Sequence, residues 1–226
     1  MLNKRTPLNR LVAIGFIASL ILASQVASAD WYIGASVGQS TIDAESGEIE
    51  AAFLIDDVFV ATGTSLDETD TGWKAYVAYR ILPVFAVEAT YADLGEASFL
   101  TTIESAPPPN DALTPFEILG TATADGFQLS AVLELSLVGP ISLIGKVGAF
   151  RWEAEFTEEI VETGAIRVAR TEAEVDALYG VGLQVSMSDS IAARVEWERL
   201  ENVGEGIGGR SGRDLDFISA GLILRF

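Results

Sequence analysis

Eight short stretches of this chain alternate residue by residue between an apolar face and a face of small, polar or ionised side chains. Successive side chains of a strand point to opposite sides, so each stretch reads as a two-faced strand. In the first, Trp31, Ile33, Ala35 and Val37 alternate with Tyr32, Gly34, Ser36 and Gly38. The second sets Trp73, Ala75, Val77, Tyr79 and Ile81 against Lys74, Tyr76, Ala78 and Arg80, and the third, from about Val84 to Tyr91, sets Phe85, Val87, Ala89 and Tyr91 against Glu88 and Thr90. Phe127, Leu129, Ala131, Leu133, Leu135 and Leu137 oppose Gln128, Ser130, Val132, Glu134 and Ser136 in the fourth. Ile141, Leu143, Val147 and Ala149 oppose Ser142, Lys146 and Gly148 in the fifth. Val175 to Val185 oppose Asp176, Gly180, Gly182 and Gln184 in the sixth. The seventh places Ile191, Ala193, Val195 and Trp197 against Arg194, Glu196 and Glu198, and the last places Ile218, Ala220, Leu222, Leu224 and Phe226 against Ser219, Gly221 and Arg225.

Alternation alone does not say which face meets water, because a soluble lipocalin-like binder alternates too. Connections and sorting decide it. Tight turns at Leu82-Pro83, Gly139-Pro140 and Ser188-Asp189-Ser190 alternate with long loops at residues 40–70, beyond Tyr91 through Pro107-Pro108-Pro109, and at residues 203–212. Short turns on one rim and long loops on the other are the asymmetry of an outer-membrane barrel, with the turns periplasmic and the loops extracellular. Lys4, Arg5 and Arg10, the apolar run Leu11 to Leu22 and the Ala27-Ser28-Ala29 cleavage site make residues 1–29 a secretory signal peptide, with 30–226 the barrel domain. An apolar face of about ten residues, tilted near 40°, stands about 25 Å tall, the height of an outer-membrane hydrophobic band. Beyond Ala149 the phase blurs at Phe150, Arg151 and Trp152, where a bulge or emergence from the membrane is expected. The apolar stretch 127–150 is interrupted by Glu134, Gly139-Pro140 and Lys146, which fits a hairpin better than a membrane helix.

All 33 acidic residues and 11 of the 14 basic ones follow the signal, so the mature charge is −22 and a nucleic-acid-binding surface is not expected. The chain has no cysteine and no histidine. Disulfides, thiolate metal sites, the Ser-His-Asp arrangement and His-containing zinc sites are therefore closed to it. No enzyme activity, cofactor or metal is expected. Glu196 and Glu198 share a strand face, the spacing that acid/base chemistry uses, but no nucleophile-base pair accompanies them.

Lys74, Arg80, Glu88, Glu134, Lys146, Asp176, Arg194, Glu196, Glu198 and Arg225 fall on the polar faces and carry both signs. Pairing makes buried charge tolerable, so they are expected to form an ion-pair network filling the lumen; a small gated pore is the alternative. Trp31, Trp73, Tyr79, Tyr91 and Trp197 lie near strand ends on the apolar side and are expected in the interfacial aromatic girdles. The first loop carries Asp43, Glu45, Glu48, Glu50, Asp56, Asp57, Asp67, Glu68 and Asp70 without a Lys or Arg, which reads as a solvated acidic face. Residues 43–48 superficially match a calcium loop but lack the oxygen ligand at its fifth position and the Glu at its twelfth.

Residues 72–99 (GWKAYVAYRILPVFAVEATYADLGEASF), 146–156 (KVGAFRWEAEF), 182–200 (GLQVSMSDSIAARVEWERL) and 214–226 (DLDFISAGLILRF) resemble the small OmpA-type eight-stranded outer-membrane β-barrels. The resemblance covers the mature chain apart from its long loops. Its most specific part is the final spacing, where Ser219, Gly221, Leu224 and Phe226 match the polar-x-Gly-x-x-apolar-x-aromatic assembly signal. It implies a Gram-negative outer membrane, contact with lipid and lipopolysaccharide, delivery by the barrel-assembly machinery, and a role in envelope integrity, adhesion or limited solute passage. A stand-alone barrel without the peptidoglycan-binding domain of larger members is expected, with any surface ligand left open.

Overall fold

Each alternating stretch is a strand in the computed structural model, which describes residues 31–42, 50, 59–105, 115–204 and 213–226. The signal segment, residues 43–48 and Pro107-Pro108-Pro109 lie outside the described residues. The strands are β1 (Trp31–Ile42), β2 (Phe59–Asp67), β3 (Thr69–Leu82), β4 (Phe85–Ser105), β5 (Phe116–Val138), β6 (Ile141–Ile160), β7 (Ala165–Ser186), β8 (Ile191–Val203) and β9 (Arg213–Arg225).

These nine strands make an eight-membered antiparallel ring. β2 and β3 both lie along β4, with Asp67 opposite Ser98 and Trp73 opposite Asp93, so they are one run parted at Glu68. Around the ring the order is β3, β1, β9, β8, β7, β6, β5 and β4, and the β4–β5 pairing closes it. In hydrocarbon every backbone N–H and C=O must be paired within the protein, and closure meets that demand without leaving an edge. At the periplasmic rim the Phe226 amide donates to the Trp31 carbonyl at 3.1 Å, tying the two terminal strands together.

The two faces sort as alternation requires. Phe127, Leu129, Val147, Val181 and Leu222 point outward and stay exposed, while Lys74, Glu88, Lys146 and Glu198 point inward and are buried. A soluble binder would show the opposite sorting, and the lipocalin-like alternative is set aside on that ground. Small inward residues make room for large ones: a Cβ on Gly34 would come within 2.3 Å of the Tyr76 ring, and one on Gly182 within 2.5 Å of the Val195 carbonyl.

The strands are much longer than the alternation suggests. β4, β5, β6 and β7 run for 21, 23, 20 and 22 residues. Part of the stretch expected as a 40–70 loop is β2, carrying Asp67, with Asp70 in β3. Between the fifth and sixth stretches the two strands continue to a tight turn at residues 161–164. The cause is a change of surroundings. Outside the membrane the outward face becomes polar and the inward face apolar, so the lipid-facing pattern vanishes while the strand continues. At Phe150, Arg151 and Trp152 this inversion occurs without a bulge: β6 keeps register with β5 from Ile118↔Ile160 to Ser136↔Ser142. The first periplasmic turn is Pro83-Val84, one residue later than expected.

The ring is also uneven in height. Among the described residues β7 pairs with β8 only from Leu178 to Ser186, whereas it pairs with β6 as far as Ala165. Above the ring β2, β4, β5, β6 and β7 therefore continue as an open sheet.

Val195 faces lipid near mid-height and Ala192 faces the packed lumen. Val195→Arg is expected to cost about 2–4 kcal/mol in a lipid-bilayer refolding assay, and Ala192→Ser less. Equal tolerance at the two positions would mean that the faces are assigned the wrong way round.

Candidate functional site

The lumen is a stack of side-chain layers, and its centre is ionic. Lys74, Lys146 and Arg194 meet Glu88, Glu196 and Glu198 there, each almost wholly buried. Lys146 Nζ lies 2.6 Å from Glu88, 2.9 Å from Glu198 and 3.4 Å from Glu196. Lys74 Nζ lies 2.8 Å from Glu196 and also bonds Glu198. Arg194 Nη1 lies 3.0 Å from Glu88 and 3.5 Å from Glu196, and its Nε donates to Gln184 at 3.1 Å. Three cations thus face three carboxylates, and every carboxylate touches at least two cations. Charges buried this way cost desolvation that only near-complete pairing offsets.

Below this layer, toward the periplasm, Tyr32, Tyr76, Ala78, Ala86, Val132, Ile144, Ala192 and Ile223 pack together. The Arg194 guanidinium sits 5.5 Å from both the Tyr32 and Tyr76 ring centres, so the aromatic rings pass directly into the charged layer. At the periplasmic mouth Glu134 accepts from Arg80 Nη2 at 2.7 Å and from Gln184 at 2.8 Å, and Arg225 Nη2 lies 3.8 Å away. Above the charges, Phe150, Trp152, Leu178, Leu200, Leu215 and Phe217 fill the outer mouth within one apolar cluster.

Of the residues expected in the lumen network, six meet in the central layer and Arg80, Glu134 and Arg225 gather at the periplasmic end, joined to that layer through Gln184, which accepts from Arg194 and donates to Glu134. Asp176 joins neither: it accepts a 2.7 Å hydrogen bond from Trp152 Nε1, and among the described residues it has no ion pair. Sequence reasoning missed both apolar layers. The signal for the upper one was present in Phe150, Trp152 and Ala154, three same-parity residues read as a loss of phase.

The aromatic residues fall at two heights. Trp31 and Tyr79 meet at 4.9 Å between ring centres near the periplasmic rim. Trp73 and Tyr91 meet at 5.6 Å, and Trp197 lies 6.0 Å from Tyr179, toward the outer rim. Tyr91 Oη donates to Asp125 at 2.9 Å, placing a carboxylate just beyond the ring. Ser219, Gly221 and Leu224 lie in β9, with Ser219 buried on the lumen side, and Phe226 follows the strand, half-exposed on the lipid side.

Glu196 and Glu198 lie on one strand face, but both are held by lysine ammonium groups out of reach of solvent. Among the described residues no group of three metal-ligating side chains is assembled.

The profile of the OmpA-like transmembrane domain matches residues 26–226. Outer membrane protein A of Escherichia fergusonii is 24% identical over 227 residues, covering 99% of this chain and 56% of its own length. The Klebsiella pneumoniae protein of the same name is 23% identical over 157 residues, covering 69% of this chain and 41% of its own length. The chain spans about half the length of the curated relatives it matches. Among solved structures, Ail, the attachment invasion locus protein of Yersinia pestis, superposes with a TM-score of 0.46 at 14% identity, covering 87% of this chain and 99% of its own. Neisserial surface protein A does so at 0.44 and 10%, covering 87% and 97%.

Removing one cation from the central layer strands the carboxylates it served. Lys146→Met is expected to destabilise the barrel by about 3–5 kcal/mol in urea unfolding from lipid vesicles. Adding Glu88→Gln to that variant restores part of the loss, because one stranded charge goes with it.

Proposed function

We infer that this chain, which belongs to the OmpA-like transmembrane domain family and resides in the outer membrane, serves the envelope as a plugged, non-enzymatic barrel with a structural and surface-interaction role. One observation carries the reading: side chains occupy the lumen from mouth to mouth, with the ionic layer held between two apolar ones. An eight-stranded ring is just wide enough for its interior to be filled in this way. A conducting path would have to break buried ion pairs and also part Phe150, Trp152 and Phe217.

Four side chains favour a second reading, a narrow gated pore. Ser36, Gln128, Ser130 and Ser219 are buried in the lumen with side-chain polar atoms that bond no other group of the described protein. Groups of this kind are commonly met by internal water, and a hydrated lumen is the first requirement of a pore. Planar-bilayer recording of the refolded protein separates the two. The plugged reading expects no steady conductance steps, and steps that change when Lys146 or Arg194 is neutralised would replace it with the pore.

The pattern Ser219, Gly221, Leu224 and Phe226 supports delivery by the barrel-assembly machinery. Phe226 contributes little to the packed lumen, so Phe226→Ala is expected to leave refolding from urea near normal while lowering the amount of heat-modifiable barrel in the outer membrane of expressing cells. Equal loss in both assays would make Phe226 a folding residue and remove the signal reading.

A further inference from the structure

The open sheet above the ring has an edge that can pair with itself. Among the described residues, Ala165–Ala177 of β7 bonds β6 on one side and no strand on the other. A free strand edge presents unpaired N–H and C=O groups and is a template for another strand. The opposite edge, β2, is blunted: its register breaks between Thr62 and Ser65, where Gly63 has φ 65°. β7 slips register at Arg167, between Ile166 and Val168, and then runs without a break from Val168 to Ala177.

We propose that the free edge of β7 binds the same edge of a second copy of this chain seated in an opposing membrane. The charge order along the edge selects that partner. Arg170 stands in its first half and Glu172, Glu174 and Asp176 in its second, while Arg167, at the register slip, pairs with Glu158 of its own sheet at 3.5 Å. Two copies in one membrane are related by an axis along the membrane normal, so their β7 strands run the same way and like charges fall side by side. Copies in facing membranes are related by an axis parallel to the surfaces, which makes the strands antiparallel and sets the basic half against the acidic half.

Register follows from the geometry. Setting the unbroken stretch Val168–Glu174 against itself puts Thr171 on the two-fold axis. Arg170 then faces Glu172 twice and Ala169 faces Ala173 twice, each pair on one face of the continuous sheet. Cross-strand pairs of opposite charge favour the alignment; a centre at Arg170 or at Glu172 sets that charge against its own copy, and a centre at Ala169 brings no pair of opposite charges together. At about 3.3 Å per residue and a tilt near 40°, Thr171 stands about 20 Å above Tyr179, so the two aromatic girdles lie about 40 Å apart. In this register Thr163, at the tip of the β6–β7 turn, reaches the partner's Tyr179 level without having to pass it.

The proposal rests on the surface-interaction part of the reading above and names its partner. Its test uses the full-length mature chain refolded into two dye-labelled sets of phosphatidylcholine liposomes. Wild-type liposomes are expected to cluster, and because the chain has no native cysteine, Thr171→Cys treated with a short bis-maleimide links copies from different liposomes. Arg170→Glu alone and Glu172→Arg alone each reduce clustering at least tenfold. Mixing the two variants restores it, since each edge then meets its opposite. Unclustered wild-type liposomes, clustering indifferent to either reversal, a mixture that fails to cluster, or cross-links confined to single liposomes would each overturn the proposal. Both reversals sit on an exposed edge, so heat-modifiable migration is expected unchanged in each. A folded, non-conducting barrel that fails to cluster removes the self-pairing and leaves the plugged-barrel reading standing.

Discussion

The structure follows from one demand: no backbone hydrogen-bonding group can be left unpaired in hydrocarbon. Two-faced strands meet it only by closing, and the β4–β5 pairing is what turns an open sheet into a ring. Closure then decides where every side chain goes. The face with Val147, Leu129 and Leu222 must meet lipid, and the face with Lys74, Glu88 and Glu196 must enter the lumen, where these three are buried. Ion pairing in the lumen is thus a consequence of closing the backbone. Side chains that bulk solvent would otherwise serve are brought into direct contact, with Lys146 2.6 Å from Glu88 and Arg194 3.5 Å from Glu196.

Why the lumen holds charges at all, when leucines would fill it, is answered by the route the chain takes. Residues 127–150 come close to the apolar length of a spanning helix. Glu134 and Lys146 break that run, one in each arm of the hairpin turned at Gly139-Pro140. The same two residues that occupy the lumen thus also make the segment's sequence that of a hairpin and not of a helical span. Apolar packing does return where it carries no such risk. Trp152, Leu200 and Phe217 come from three different strands and make a hydrophobic layer only after the ring has closed.

Fold class, strand order and the inward or outward sense of each membrane segment were legible because a two-residue period against lipid leaves no freedom of face. Lys146 and Arg194 could be placed in the lumen from parity alone. Which inward charges touch was not legible, since strand stagger sets their relative height: Glu196 and Lys74 meet across the barrel, whereas Asp176, of equal parity, rises past the charged layer to Trp152. Strand ends were misread for a related reason. The lipid-facing signal stops at the membrane surface, so β4 and β5 were cut short there and the continuation of β6 and β7 to the four-residue turn after Ile160 was missed. Reading Phe150, Trp152 and Ala154 as an inverted pattern, instead of a lost one, would have recovered the continuation of β6.

The unequal heights of the strands follow from where the demand for closure ends. Within lipid an unpaired edge is intolerable, and β7 is paired on both sides up to Leu178. Above the aromatic level of Tyr179 and Trp197, water can serve the exposed backbone groups, so β8 stops at Val203 while β6 and β7 continue to their turn. An open edge there costs little as long as its side chains discourage indiscriminate pairing, and Arg170 and Glu172 do so by admitting only a partner of complementary order. The constraint that fixes the barrel so rigidly in the membrane is therefore absent from the part that stands outside it. That is the part of the chain free to be shaped by what it meets.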